Sequence, residues 1–496
     1  MTDIDIVKFH PTSMSVPDIA LKIAIVGAGV SGLSTYLFLK KHLPVSPPHE
    51  IFIYETYPCP SRKQRELSSE DAAIRDAASF IGGGLGVAPN GMRILRELDP
   101  KVHDAIVAQG YPTLRFQIKS SHNWTLGSMP TVDVNNQSPE VMIMSMRQGV
   151  WDCLREKVPE EVIRTGKAVS KVERGPNVKP ILCFADGTSS DEFNLVIGAD
   201  GVKSVVKNAV TQTEPIYEGL CGIGGFFPSS DLPPLPSDLI LPAPRSPVVM
   251  TFGAEGFFGY APCNSDPSPG SPSLTSSQIK ANKALPYGPQ AMWWSTFSVD
   301  EPPKSTKAID KEAIHAQLLE RHSKWQDPVI QKVLADPVIS VMTATFVTPK
   351  LSTWTGDGIV LVGDAAHTLP STSGQGVSQA LEDAQALALL LAHYLRYQPP
   401  VERQRDQSSS SVKTQIQAAI MAFQSIRKPR VEYILDFSRR ISNRKKKMGP
   451  IGEWMTYFFM WALCNIFPGF MRSALGRWDV SAEIEKAIRE QNKNKV

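Results

Sequence analysis

The chain has 496 residues, 52 lysines and arginines against 49 acidic residues, and a net charge of +3, which gives no reason to expect a nucleic-acid partner. Its length exceeds one small core, so two or three domains, or a large α/β body with a satellite sheet, are expected. Six scattered cysteines form no CxxC pair, so neither a zinc site nor a disulfide framework is indicated, and a reducing compartment fits.

The opening MTDIDIVKFHPTSM lacks a basic segment followed by an apolar one, so no signal peptide is read and the protein is expected not to be secreted. Ile23–Val26 reads as a short apolar strand, Ser31–Lys41 as a helix, and Ile51–Tyr54 as a second strand ending at Glu55. Between the first strand and the helix, Gly27, Gly29 and Gly32 spell Gly-x-Gly-x-x-Gly. Gly27 would allow the tight turn, Gly29 the approach of a pyrophosphate, and Gly32 close packing of helix on strand. The helix N-terminus offers unpaired N–H groups to phosphate. Glu55 stands where an acid accepts bonds from a ribose 2′-hydroxyl, and it would repel a 2′-phosphate, which argues against NADP at this site. The fingerprint by itself does not separate FAD from NAD.

Residues 60–80 look like a polar surface insertion, followed by the glycine-rich IGGGLGVAPNG and a helix over Asn90–Leu98. Short strands and turns occupy Tyr111–Ile143, and Arg147–Val158 reads as helical. Strands follow at Val169–Glu173 and Ile181–Phe184, with Asp186-Gly187 as a hairpin turn, and Leu195–Ile197 is a buried strand running into GADG. Residues 215–350, rich in Gly, Pro, aromatic and β-branched residues, read as a mixed sheet facing a substrate, with a low-complexity loop at 263–278. Ile359–Val362 returns as a buried strand and Gly376–Tyr394 as a long helix. Residues 398–411 read as a disordered-type connector, and the remainder as helical.

Two further motifs bear on the ligand. In LVIGADGVKSVVK a buried strand meets Asp200-Gly201, with Ser204 and Lys207 on a new helix. In TGDGIVLVGDAAHTLPSTSGQGVSQALEDAQALALLL a strand ends at Gly363-Asp364, and Gly374-Gln375-Gly376 opens a helix. An NAD dehydrogenase needs neither, whereas a flavin must be tied along its length. The three motifs in this order resemble the FAD-dependent aromatic hydroxylases, or single-component flavoprotein monooxygenases, over roughly residues 20–440. The wording of GDAAHTLPSTSGQGVSQALEDA and SIRKPRVEYIL is similar to the fungal salicylate-hydroxylase-like branch.

The resemblance implies an α/β fold, with a Rossmann-like FAD-binding domain (20–110, 145–215 and 350–397) interleaved with a mixed-sheet substrate domain (111–144 and 216–349). A helical C-terminal region covers 413–496. It implies non-covalent FAD, with NADPH or NADH and O2 as co-substrates. The nicotinamide would visit the flavin, because the sequence holds no second Gly-x-Gly-x-x-Gly. Asp364 should face the ribityl hydroxyls or the pyrophosphate, and Gly374, Gly376 and Val377 the flavin ring. Asp200 should lie near both FAD and nicotinamide, Gly83 and Gly84 should pass beside the flavin, and Arg147 should reach the cofactor. Lys207 stands where the family usually has arginine, and the insertion leaves open which of Arg62, Arg65 and Arg75 reaches the cofactor, if any does. Tyr217 is a candidate near the substrate, though a tyrosine packed at a sheet edge is the plainer reading. His367 reads as a loop histidine near the flavin without chemistry, and Trp293-Trp294 as core residues more than pocket lining.

The resulting expectation is hydroxylation or epoxidation of an aromatic, polyketide- or terpenoid-like molecule in secondary metabolism. The alternatives are a flavin oxidoreductase or desaturase without oxygen insertion, and a non-catalytic FAD-binding redox protein. No metal site is expected. Trp454–Met471 is uncharged, aromatic, and preceded by the basic cluster Arg439–Lys447. It reads as a helix packed on the body, an interfacial anchor on the cytoplasmic face, or a minimal membrane span.

Overall fold

The computed structural model describes residues 20–60, 83–131, 140–175, 178–234, 248–265, 286–303, 310–396, 408–442, 445–466 and 478–493. The polar insertion after Pro60, with Arg62, Arg65 and Arg75, lies outside these residues. So do residues 266–278 of the low-complexity stretch and residues 467–471 of the apolar tail.

The strand Lys22–Val26 lies inside a six-stranded sheet, in the order Thr355–Gly356, Ile359–Leu361, Leu195–Gly198, Lys22–Val26, Glu50–Glu55, Ile163–Thr165. All pairings are parallel except the short edge strand Thr355–Gly356. Ile23 stands opposite both Leu195 and Ile51, and Val196 opposite Ile359. These strands are apolar along their whole length because helices cover the sheet, leaving neither face to water. Ile23, Ala24, Ile25, Val196 and Val360 are fully buried in one core with Leu33 and Phe38 of the opening helix Val30–His42. The long helix Gly376–Arg396 packs against that helix and against Ser408–Ser442.

The second sheet has seven strands, in the order Ile339–Val347, Ile216–Pro228, Gln290–Ser298, Gly256–Pro262, Val248–Gly253, Arg115–Ser120, Thr125–Pro130. Strand alternation sends Trp293 and Trp294 to opposite faces. Trp293 stacks on Phe258 at 5.6 Å in a core under the helices Lys311–His322 and Pro328–Ala335. Trp294 looks the other way, toward Met250 and Phe116. The architecture is therefore α/β, with a Rossmann-like sheet interleaved with a mixed sheet and a helical C-terminal region.

Two local expectations are corrected. Residues 408–411, read as connector, begin the 35-residue helix Ser408–Ser442, whose buried Val412, Ile416, Ile420 and Phe423 keep helical spacing. The element carrying Lys207 is a 3-10 turn, Val206–Ala209. The tail forms a helix over Pro450–Asn465, 16 residues long. Its Tyr457, Met460, Leu463 and Cys464 pack on Ile118, Met129, Phe252 and Phe257 of the second sheet. Among the described residues no helix is long and apolar enough to cross a membrane, and this helix is committed on one face to the sheet.

Candidate active site

The opening turn is built as the glycines require. Gly27 has φ +102°, and a Cβ there would lie 2.5 Å from the Ala199 carbonyl oxygen. A Cβ on Gly32 would collide with the backbone oxygen of Gly27, so the helix sits directly on the turn. At Gly29 an added Cβ meets nothing within 4 Å. Space therefore opens in front of the helix N-terminus, where the first N–H groups have no intrahelical partner. The Ser31 hydroxyl is buried there without a partner. Glu55, at the end of its strand, accepts from the N–H of Ala28 at 2.8 Å and of Tyr57 at 3.0 Å, pinning the turn.

The other motif residues converge on this turn. Gly27 abuts Ala199 and Asp200, and the Ser31 hydroxyl lies against Gly363. Trp151, on the helix Arg147–Arg155, donates from Nε1 to the Ala28 carbonyl at 2.8 Å. Arg147 opens that helix, and its N–H bonds Gly83 O at 3.0 Å. Gly83 leads into the strand Gly84–Val87, where the Ala88 N–H donates to Ser378 Oγ at 3.1 Å, in the first turn of the Gly376 helix. The Gly374 turn has φ +58° and closes on Met142. Asp364 and the Arg147 side chain are exposed on this rim, and neither has an ion pair among the described residues.

Asp200 uses both carboxylate oxygens on its own loop. One accepts from Ser204 Oγ at 2.6 Å, the other from the N–H groups of Val205 and Val206 at 2.7 and 3.2 Å. Burial pushes its carboxyl above the usual range, against the pull of these bonds. Lys207 is buried, with Nζ 3.3 Å from the Val202 carbonyl, so this cation holds the same loop from within. Tyr217 is spent elsewhere. Its hydroxyl donates to Val299 O at 2.8 Å and its ring packs on Phe346 at 5.6 Å, at the edge of the second sheet. Burial raises its phenol further.

His367 is buried against Trp354, with Nε2 2.5 Å from Asp383 Oδ2. That carboxylate also accepts the Gly363 N–H at 2.8 Å. Asp383, Ser31, Trp151 and Asn90 escape sequence reasoning, because nothing in a lone Ser or Asp shows which turn it will face. The sequence signal for Asp383 is its spacing, seven residues after Gly376 on the face turned inward.

The arrangement fits a dinucleotide. Two helix N-termini open beside each other, a bare Gly29 and a bare Gly376 leave room for backbone approach, and the Ser31 hydroxyl, without a partner among the described residues, lines the rim with the exposed Asp364 and Arg147. A Rossmann-like sheet carrying these turns, beside a second, mixed sheet, is the architecture of a flavoprotein oxidoreductase. The chain belongs to the FAD binding domain family, whose model matches residues 79–404. It is an FAD-dependent monooxygenase of the aromatic-hydroxylase type. It is 24% identical over 383 residues to the aurachin C monooxygenase/isomerase of Stigmatella aurantiaca, covering 77% of this chain and 82% of that protein. It is likewise 24% identical over 441 residues to the FAD-dependent monooxygenase eupB of a Phoma species, covering 84% and 87%. Among solved structures, a salicylate hydroxylase substrate complex superposes with a TM-score of 0.64 at 18% identity, covering 94% of this chain and 97% of that one.

Proposed function

We propose that the enzyme inserts one atom of O2 into a largely apolar molecule of aromatic, polyketide or terpenoid type, by hydroxylation or epoxidation, with NADPH or NADH as electron donor. The observation that carries the substrate class is a wall of methionines beside the Gly374 turn. Met142, Met144 and Met292 form one buried cluster with Val248, Ala261 and Cys263, edged by Met146, Met250, Phe116, Phe226 and Trp294. Met292 abuts Gly84, the Met144 sulfur lies 3.1 Å from where a Gly86 Cβ would stand, and the Met142 methyl lies 4.0 Å from where a Gly374 Cβ would stand. Thioethers are polarisable and flexible, so they accommodate irregular apolar shapes. Fungal relatives such as eupB support a place in secondary metabolism.

When bound, FAD supplies hydride acceptance from the nicotinamide and activation of O2. The protein's part is to hold and to exclude. The N–H groups around Gly29, with Ser31, face the pyrophosphate. Glu55 takes the adenosine ribose and Asp364 the ribityl hydroxyls. Gly83 and Gly84 pass beside the ring, and Arg147 reaches it. The N–H groups of Gly376 and Val377, at the positive end of a long helix, would face the flavin ring and favour negative charge on it, while the Gly374 N–H donates to Ser371 O at 3.1 Å and shapes the turn before them. Asp200 keeps its turn open where the nicotinamide visits. The methionine wall keeps water from the oxygen-transfer step.

Purified protein should be yellow and release FAD on denaturation. It should consume O2 and NADH or NADPH faster when a cognate substrate is present, giving a product heavier by one oxygen atom in mass spectrometry. A colourless folded protein that refuses added FAD would overturn the cofactor reading. Substrate-dependent turnover without oxygen incorporation would favour the desaturase alternative.

A second partner is supported by the tail helix. Ile451, Trp454, Met455, Phe458 and Trp461 are 80%, 58%, 65%, 69% and 44% exposed on the face opposite the sheet. They recur at helical spacing, and Lys446 and Lys447 precede them. Trp454 extends the patch to Trp124, at 5.8 Å. We infer that this face lies on an anionic lipid surface, in the plane of the interface and on the cytoplasmic side. The wild-type protein should sediment with phosphatidylserine vesicles and be partly released by salt, whereas Phe458→Glu should stay in solution with its FAD. Equal sedimentation of the two, or none of the wild type, would reject the inference.

A further inference from the structure

Beneath the rim runs a buried ionic chain that the cofactor contacts above do not use. Glu382 and Asp383 are neighbours on the Gly376 helix, and both are 0% exposed, as is Arg427 on the Ser408 helix. Arg427 joins them. Nη1 lies 2.5 Å from Glu382 Oε2, Nε donates to Asp383 Oδ1 at 2.8 Å, and Nη2 donates to Gln379 Oε1 at 2.7 Å. Each carboxylate then reaches a different turn with its second oxygen. Asp383 Oδ2 accepts the Gly363 N–H and meets His367, holding the Gly363-Asp364 turn. Glu382 Oε1 accepts from Asn90 Nδ2 at 2.6 Å, and the same amide donates to Gln375 Oε1 at 3.1 Å, inside the Gly374-Gln375-Gly376 turn.

Two adjacent carboxylates out of water are strongly unfavourable unless a cation and hydrogen bonds answer them. Burial opposes ionisation of Asp383, but His367 and Arg427 hold its carboxyl below the usual range. Burial likewise opposes the charge on Arg427, and the two carboxylates hold it. Arg427 adds a planar fork that fixes direction as well as charge. It lies beyond residue 404, where the match to the family model ends.

We propose that Arg427 is a positioning residue of the cofactor site, through which the C-terminal helix sets the Gly363-Asp364 and Gly374–Gly376 turns relative to each other. This rests on the FAD reading above. Two variants test it, Arg427→Met, which keeps the stem and removes the charge, and Arg427→Lys, which keeps a charge and loses the fork. The readouts are the FAD dissociation constant, the visible circular dichroism and midpoint potential of the bound flavin, and amide hydrogen exchange at Gly363 and Gln375 in the apoprotein. Arg427→Met should weaken FAD about tenfold, by analogy with the loss of a residue that orients a metal ligand. It should also alter the dichroism, shift the potential and speed exchange at both amides, and Arg427→Lys should restore part of each. Should Arg427→Met fail to fold, Asp383→Asn keeps the volume and breaks the same chain, with the same expected readouts. A folded variant with wild-type FAD affinity, dichroism, potential and exchange overturns the proposal. A wild-type protein with no affinity for FAD overturns the cofactor reading itself, and this inference with it.

Discussion

Gly32→Ala is expected to give a protein that no longer retains FAD through gel filtration. The added Cβ would press on the Gly27 carbonyl, with the carbonyl carbon at 3.0 Å and the oxygen nearer still, and backbone atoms cannot swing aside. Gly27 cannot yield either, because its own far side meets Ala199. The opening helix must therefore retreat from the strand. Overpacking of this kind costs about 1–3 kcal/mol, and here the displacement falls on the N–H groups that face the phosphates. Gly29→Ala is the informative control. Its Cβ meets no protein atom within 4 Å, so the apoprotein should melt as the wild type does, while FAD binds more weakly because the methyl group occupies ligand space. Retention of full FAD content by Gly32→Ala would remove the turn from the site.

Asp364→Ala is expected to raise the FAD dissociation constant ten- to a hundredfold. Loss of a hydrogen bond to a charged group costs roughly 1.5–3 kcal/mol. The residue is exposed and has no ion pair among the described residues, so the apoprotein should keep its melting temperature. Glu55→Ala should behave differently. Its carboxylate already holds the N–H groups of Ala28 and Tyr57, so the apoprotein should lose about 1 kcal/mol as well. Fluorescence titration of FAD together with calorimetry of both apoproteins separates the two cases. An Asp364→Ala protein with wild-type affinity would show that the carboxylate faces solvent only.

The parts of the site that were legible in the sequence are those where backbone geometry dictates residue type. Gly27 and Gly32 are readable because no other residue fits a φ of +102° or so close a helix, Gly29 because it leaves open space before the helix, and their strand and helix came out within a residue at each end. The strand before Asp200 and the helix after Gly374 were legible for the same reason, since long apolar runs bounded by glycine leave few alternatives. The ionic chain was not legible. Glu382 and Asp383 look like ordinary surface residues of a helix, and Arg427 lies 44 and 45 residues further on. Only the packing of the Ser408 helix against the Gly376 helix turns three charges into one interior cluster. Tyr217 packs as the plainer of its two readings has it. Its position after the second motif suggested the substrate, whereas strand pairing directs its hydroxyl to Val299.

The sheet that holds the opening turn is assembled from distant pieces, with Ile23 beside Leu195 and Val196 beside Ile359. Arg427 follows Ile23 by 404 residues. At about 5–20 residues per second, a ribosome needs roughly 20–80 s to make that span. During that time the first strand has been synthesised but its neighbour Leu195–Gly198 has not, or has no third strand beside it. An apolar edge without partners is the kind of surface that chaperones engage and that otherwise aggregates. On the proposal above, cofactor loading waits on residues made long after the opening turn. Expression at lower temperature, with slower synthesis and chaperones in excess, favours a fully loaded product over a larger yield of empty protein.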